Sequence, residues 1–213
     1  VTVTGKVEEY TAGTYELIYK VTDGYGNTAK AKRTVVVEPV RQPDVVKPKG
    51  KVVYLILEDG PGPETVMLLK ILDKYNVKAT FFVVNGAYND MIAKEYKKGH
   101  SVGIHTASHV YSEIYASEEA FFEDLYRMQG IIKEQTGHKT TLMRFPGGSS
   151  NAVSKSYCPG IMTKLVQSVT DSGFQYFDWN ITSGDAGDTT DTEEIFNNVI
   201  EGMSCYDTSI VLQ

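Results

Sequence analysis

A chain of 213 residues with 27 acidic against 21 basic side chains, and a net charge of -6, lacks the clustered positive charge that nucleic-acid binding relies on. With 41% hydrophobic and 23% charged residues it has an ordinary globular composition, long enough for one full domain and a small or partial second one. No run approaches the roughly 18 apolar residues of a membrane helix.

Residues 1–37 read as short alternating strands separated by turn residues. Positions 14–21 alternate polar and apolar, the period of a half-buried strand. Asp23-Gly24-Tyr25-Gly26-Asn27 supplies a turn, and 29–37 is expected to return as the paired strand. Residues 40–50, polar and carrying Pro43 and Pro48, read as a linker. The rhythm then changes. Positions 52–57 form a continuous apolar run, expected of a strand buried on both faces. Helical spacing follows over 63–75, with Val66, Leu69 and Leu72 on one side and Pro63 opening the helix. Further strands are expected at 79–84, 101–105, 141–144, 175–179 and 209–212, and helices at 87–98, 118–135, 161–172 and 192–203. This alternation points to an α/β domain over 51–213, a parallel sheet with crossover helices that can close into a barrel. It is preceded by a small all-β segment over 1–39. No export signal is visible, and one could lie upstream, because Val1 already stands in a strand-like pattern. Cys158 and Cys205 could pair or stay free, with Cys158 expected to be packed or disulfide-linked.

The chemistry-bearing residues fall at the ends of the expected strands. Glu58-Asp59-Gly60-Pro61 follows the first strand of the larger domain, and His105-Thr106-Ala107-Ser108-His109 the third. Asp59, His105 and His109 can supply three ligands to one divalent metal. Three ligands leave a coordination position open, which separates a catalytic zinc site from a structural one. Glu58 is then a candidate general base beside the candidate metal. Arg144 ends the fourth strand and is followed by Phe145-Pro146-Gly147-Gly148, and Asp178, Trp179 and Asp185 follow the fifth.

With these residues in hand, positions 51–213 resemble the polysaccharide deacetylases of carbohydrate esterase family 4. The family's five motifs appear as Ile56 to Pro61, His105 to His109, Arg144 to Gly148, the Asp178–Asp185 region and Leu212-Gln213. The resemblance implies a distorted (β/α) barrel that uses a divalent metal, zinc first and cobalt, nickel or manganese next, to remove acetyl groups from acetylated sugars. It implies Asp59, His105 and His109 as ligands, Glu58 as base and Arg144 as the residue that orients it and keeps it ionised. The Gly147 backbone N–H would help hold the oxyanion. Asp185 is the first candidate, and Asp178 the second, for the aspartate that tunes an acid histidine. Trp179 would line the groove, and Leu212 would border the substrate. The expected substrate is a peptidoglycan or chitin-like N-acetylglucosamine polymer. The first residues, Gly13-Thr14-Tyr15 through Asp23, Gly26 and Asn27, resemble the second half of a bacterial immunoglobulin-like module, a type used as a cell-surface spacer. A secreted, cell-wall or cell-surface location is therefore expected.

The chain departs from the family at two points. Glu58 stands where the family has Asp, and its extra methylene displaces the carboxylate by more than about 1 Å, which can cost roughly 100-fold in a tight site. The final motif, Leu-x-His, is matched only to Gln213, so the acid histidine is not within the sequence, and the domain is expected to be truncated there. Three readings are open: a metal-dependent glycan deacetylase, a glycan-binding homologue of impaired catalysis, and a surface scaffold. Other residues have simpler explanations. His100 suits a strand end, His138 a solvated turn, Asp178 a backbone cap, Trp179 the core, Ser149-Ser150-Asn151 loop structure or the cleft, and Glu118, Glu119 and Glu123 a solvated helix face. The sequence leaves the oligomeric state open.

Overall fold

A computed structural model describes residues 1–7, 13–37 and 50–213. The expected linker lies outside these residues except for Gly50. The chain separates into two units, Val1–Lys47 and Pro48–Gln213.

The first unit is an antiparallel sheet of β1 (Thr2–Thr4), β2 (Gly13–Thr22) and β3 (Thr28–Val37), in that order. The β2–β3 hairpin closes through the Asp23 side chain, whose Oδ1 accepts the backbone N–H groups of Tyr25 and Asn27, each at 2.9 Å. Gly26 takes φ 87°, the left-handed conformation the turn requires. Tyr15, Leu17 and Tyr19 share one half-buried face of β2, as the alternation expects.

The second unit is built on seven parallel strands. In chain order they are β4 (Val52–Gly60), β5 (Thr80–Val83), β6 (Ser101–Ile104), β7 (Leu142–Met143), β8 (Gln175–Tyr176), β9 (Ile181–Thr182) and β10 (Thr208–Leu212). Their order in space, β8-β7-β6-β5-β4-β10-β9, is that of a ring opened between β8 and β9. This is the distorted (β/α) barrel expected above. The helices are α1 (Thr65–Tyr75), α2 (Asp90–Lys97), α3 (Tyr111–Ile114), α4 (Glu118–Thr136), α5 (Ile161–Asp171) and α6 (Thr192–Ser204). β9 and α3 were not expected, being two and four residues long and too short for a periodicity.

Local chemistry sets the helix ends. Ser117 caps α4 by accepting the Ala120 N–H at 3.1 Å, and Gly137 ends it at φ 78°. Asp191 caps α6 through the N–H groups of Glu193 and Glu194. The buried stripe of α4, Phe121, Leu125, Met128 and Ile132, packs in the core with Leu165 and Val169 of α5 and with Val83 and Ile104 of the sheet. In α1 the expected stripe holds for Leu69 and Leu72 but not for Val66, which is exposed, with Thr65 buried in its place. The reason is local: Thr65 turns inward because its hydroxyl accepts the Gly62 N–H at 2.9 Å. Both cysteines are free, and Cys158 packs against the core, so the packed alternative holds and the disulfide does not.

Glu95 of α2 is a buried carboxyl with no cationic partner among the described residues, and it meets the cost of burial by staying protonated. It is 0% exposed, and neither carboxylate oxygen has a partner among the described residues. Burial pushes its carboxyl up from 4.5 to about 8. Between those values the folded chain binds a proton that the unfolded chain has lost, so stability is full below 4.5 and falls as pH rises through about 8. Glu95→Gln is expected to flatten that fall. Melting temperatures measured at about pH 5 and about pH 9 should differ less in the variant than in the parent, and equal differences would show that Glu95 does not set the slope.

Candidate active site

The strand ends converge as parallel topology dictates, every loop that follows a strand C-terminus opening on the same rim. Neighbouring strand residues point to opposite faces, so Glu58 and Asp59 could not share a site on a regular β4. They do so because β4 is bulged. Leu57 pairs with Phe81 and Gly60 with Val83, leaving Glu58 and Asp59 opposite the single residue Phe82. Asp59 takes φ 59° at this bulge. Thr106 and His109 are also left-handed, at φ 70° and 52°. Among the described residues, three of the four non-glycine residues at positive φ thus lie in the two candidate ligand segments, where surrounding structure holds backbone that would otherwise be disfavoured.

Asp59, His105 and His109 each offer a ligand atom within 4.8 Å of the others. Asp59 Oδ1 lies 3.5 Å from His105 Nε2 and 3.3 Å from His109 Nε2. Those separations match the edge of a zinc tetrahedron with ligand distances of about 2.0–2.2 Å, whose edge is about 3.3–3.6 Å. His105 is 1% exposed, and its Nδ1–H donates to the Arg144 carbonyl at 3.1 Å, which turns Nε2 toward Asp59. Burial, then the nearby His109, pushes its pKa down to about 3, so the imidazole is neutral as a ligand must be. The donor set fits a divalent cation.

The loop that carries the two histidines is held from below. Asp124 of α4 accepts the backbone N–H of Ala107 on Oδ1, at short range, and that of Ser108 on Oδ2 at 3.1 Å, while Arg127 Nη2 donates to the same Oδ2 at 2.7 Å. One buried carboxylate thereby fixes two of the three residues between the candidate ligands.

Beside this cluster, Glu58 faces Arg144. Arg144 Nε lies 2.5 Å from Glu58 Oε1, and Glu58 Oε2 lies 3.8 Å from His105 Nε2. The carboxylate has one oxygen on the guanidinium and the other toward the histidines. Arg144 is 0% exposed, with Trp179 stacked 4.4 Å from its guanidinium carbon. Charge proximity alone would keep Glu58 ionised, but burial outweighs Arg144 and raises the carboxyl to about 7, with Asp59 and Asp178 adding to the rise. Asp178 accepts the N–H of Ser149 at 2.9 Å and also its hydroxyl, so it ties the β8 end to the loop after Arg144. Asp178, rather than Asp185, is the acid whose charge bears on Glu58 and Arg144. Asp185 is exposed, accepts the Ser183 hydroxyl, and borders a cleft of about 410 Å³ together with Glu58, Asp59 and Gln213. Leu212 is buried at the end of β10, beneath the rim.

Gly147 and Gly148 pack where no side chain fits. They take φ 76° and 83°; a Cβ on Gly147 would meet the Tyr111 hydroxyl at 2.9 Å, and one on Gly148 would meet the Trp179 ring at 3.1 Å. Trp179 therefore spans Gly148 and Arg144. Neither remaining histidine enters the site: His100 is buried and accepts the Ala79 N–H at 3.2 Å, and His138 is exposed against Tyr96. Tyr111 and Asp124 escaped the sequence reading, since one opens a four-residue helix and the other sits among the acids of α4.

With this geometry established, comparison with known proteins is informative. Residues 45–158 match the family model "Polysaccharide deacetylase", and residues 1–37 match "Bacterial surface protein, Ig-like domain". The crystal structure of the catalytic domain of a peptidoglycan N-acetylglucosamine deacetylase from Eubacterium rectale is 56% identical, with a TM-score of 0.77 over 81% of this chain and 80% of that one. A polysaccharide deacetylase from Bacillus cereus gives a TM-score of 0.66 at 30% identity over 76% of this chain and 78% of that chain. Among curated relatives, a Bacillus cereus peptidoglycan-N-acetylglucosamine deacetylase is 34% identical over 138 residues, 63% of this chain and 47% of that protein. Chitin deacetylase 1 of Cryptococcus neoformans is 30% identical over 80% of this chain and 38% of that protein. The chain spans about half or less of the length of these curated relatives. A bulged carboxylate pair, a His-x-x-x-His loop and an arginine at successive strand ends, on a sheet this similar to solved deacetylases, place the chain in the polysaccharide deacetylase family.

Proposed function

We propose that this chain catalyses metal-dependent removal of acetyl groups from N-acetylglucosamine units of a bacterial cell-wall glycan. The observation that carries the reading is the adjacency of two clusters. Asp59 Oδ1 stands at tetrahedral-edge separations from His105 Nε2 and His109 Nε2, and the Glu58–Arg144 pair stands beside them. The 56% identity to a catalytic domain described as a peptidoglycan N-acetylglucosamine deacetylase favours that substrate over chitin. The match of residues 1–37 to a bacterial surface module supports action at the cell surface. No helix of the described residues is long and apolar enough to cross a membrane.

Asp59, His105 and His109 would hold the cation, zinc by the preference of two imidazoles and a carboxylate. When bound, it supplies an acidified water and polarises the acetyl carbonyl. Arg144 holds Glu58 through Oε1, leaving Oε2 to take the proton of the attacking water. The oxygen of the acyl group gains charge as the C–O bond forms, and the Gly147 N–H donates to it. The C–N bond then breaks, and the nitrogen needs a proton. A carboxyl with a pKa of about 7 can take a proton and return it, so Glu58 is suited to hand that proton to the departing amine.

The decisive experiment measures acetate release from N-acetylglucosamine oligomers and from peptidoglycan, with zinc added or chelated. Metal-dependent release on either glycan supports the reading, and the ratio of rates identifies the preferred polymer. Bound zinc without acetate release on any glycan would overturn it in favour of a binding protein.

Asp124 bears on the same reading. Asp124→Ala is expected to weaken zinc binding by about 10- to 100-fold, the usual cost of removing a group that orients a metal ligand. Chelator competition checks this, and unchanged affinity would show that the histidine loop holds its shape without Asp124.

A further inference from the structure

Tyr111 lies against both the candidate ligand His109 and the Gly147 turn. Its ring stands edge-on to the candidate ligand His109, with centroids 5.7 Å apart and planes at 81°. Its hydroxyl occupies the space in which a side chain at position 147 would begin, 2.9 Å from where a Gly147 Cβ would lie. The neighbouring tyrosine of α3 is differently used. Tyr115 is buried, donates to the Pro146 carbonyl at 2.7 Å and accepts from Asn151, so it buttresses the Pro146-Gly147-Gly148 turn. Tyr111 packs against Tyr115 at 5.6 Å, is half-buried, and its hydroxyl makes no hydrogen bond to another described residue. A half-buried ring packed between His109 and Tyr115 therefore presents, beside a candidate metal ligand and against Gly147, a hydroxyl with no hydrogen-bond partner among the described residues.

We infer that Tyr111 is a further catalytic residue, its hydroxyl donating a second hydrogen bond to the acyl oxygen as that oxygen becomes an oxyanion beside the Gly147 N–H. Glycine at position 147 is what makes room for it. A phenol, with an ordinary pKa of about 10, stays a donor throughout the neutral range. No proton is transferred from Tyr111: the hydrogen bond strengthens as negative charge gathers and weakens as the carbonyl re-forms.

The inference rests on the deacetylase reading, and one variant tests it separately. Tyr111→Phe keeps the ring and removes the donor. In the zinc-loaded protein, kcat on N-acetylglucosamine oligomers is expected to fall about 10- to 100-fold, below the full effect of losing a sole oxyanion donor. KM should stay within about twofold, and zinc affinity by chelator competition should not change. As a second readout, acetohydroxamate binding by calorimetry should weaken about 5- to 10-fold, the loss of one hydrogen bond to a partly charged oxygen. Unchanged kcat, a loss confined to KM, or a parallel loss of zinc would overturn the inference, by pointing to no role, a sugar contact, or a structural role. A parent protein that binds zinc but releases no acetate would instead overturn the deacetylase reading, and the hydroxamate comparison would still decide whether Tyr111 donates to a ligand oxygen.

Discussion

His105→Ala is expected to abolish zinc binding at working concentrations, and with it acetate release. Of the three candidate ligands only His105 is fully buried: its side chain is 2% exposed, against 31% for His109 and 64% for Asp59. Its Nδ1–H is fixed by the Arg144 carbonyl, so its lone pair is already aimed and little ordering entropy opposes binding. The two residues left behind are an exposed carboxylate and a half-buried imidazole, whose side chains lose more freedom on binding than the buried His105 does. Affinity should therefore fall by more than about 100-fold, the most that loss of a ligand's hydrogen-bond partner alone costs. The fold should survive, because Asp124 rather than His105 anchors the loop backbone at Ala107 and Ser108. Calorimetric zinc titration of parent and variant, with circular dichroism to confirm folding, decides the matter. A folded variant with parental affinity would remove the metal site as drawn.

The contrast between Asp59 and Tyr111 shows what the sequence discloses and what it hides. A metal site needs specific atoms, and few residue types supply them, so two histidines four apart and a carboxylate after an apolar run stand out before any fold is known. Parallel topology adds that such residues share a rim. What cannot be read is how Glu58 and Asp59, adjacent in a strand, come to face one way. That depends on one extra residue in a β4–β5 register, which leaves no compositional trace. Tyr111 and Asp124 are hidden for a related reason. Each acts through where the chain places it, one over Gly147 and one under Ala107, and tyrosine and aspartate are common in helices that do nothing of the kind. The same holds for β9, whose two residues are set by pairing with β10 rather than by their own pattern. In the case of Glu58, proximity to Arg144 led to an expectation of full ionisation, but burial is a property of the fold, and it wins.

Burial also sets the size of the second large effect. Arg144→Ala is expected to lower kcat by about 100-fold or more while changing glycan affinity little. Arg144 touches no part of the rim that a sugar would reach, since it is 0% exposed and covered by Trp179. Its influence passes through Glu58, which it holds by Oε1 and whose charge it stabilises. Without it the carboxyl keeps the burial that raises its pKa and loses the largest opposing effect, so the value moves above about 7. The sign follows from the base having to be ionised to act. The rate of the parent rises with pH as Glu58 loses its proton, at about 7 or below once a cation adds its own charge. In the variant the same limb shifts to higher pH, and the deficit is largest in acid and shrinks as pH rises. What persists at high pH measures the loss of orientation alone. Removing one member of a buried pair also costs about 3–5 kcal/mol of stability when the remaining charge is stranded. Here Glu58 can escape part of that cost by protonating, so the variant should be less stable at high pH than at low. The pH–rate profile and the pH dependence of the melting temperature are therefore linked through one carboxyl. If the rate and the glycan affinity fell together, or if the acid limb stayed in place, Arg144 would be a packing residue and Glu58 would owe its position to the β4 bulge alone.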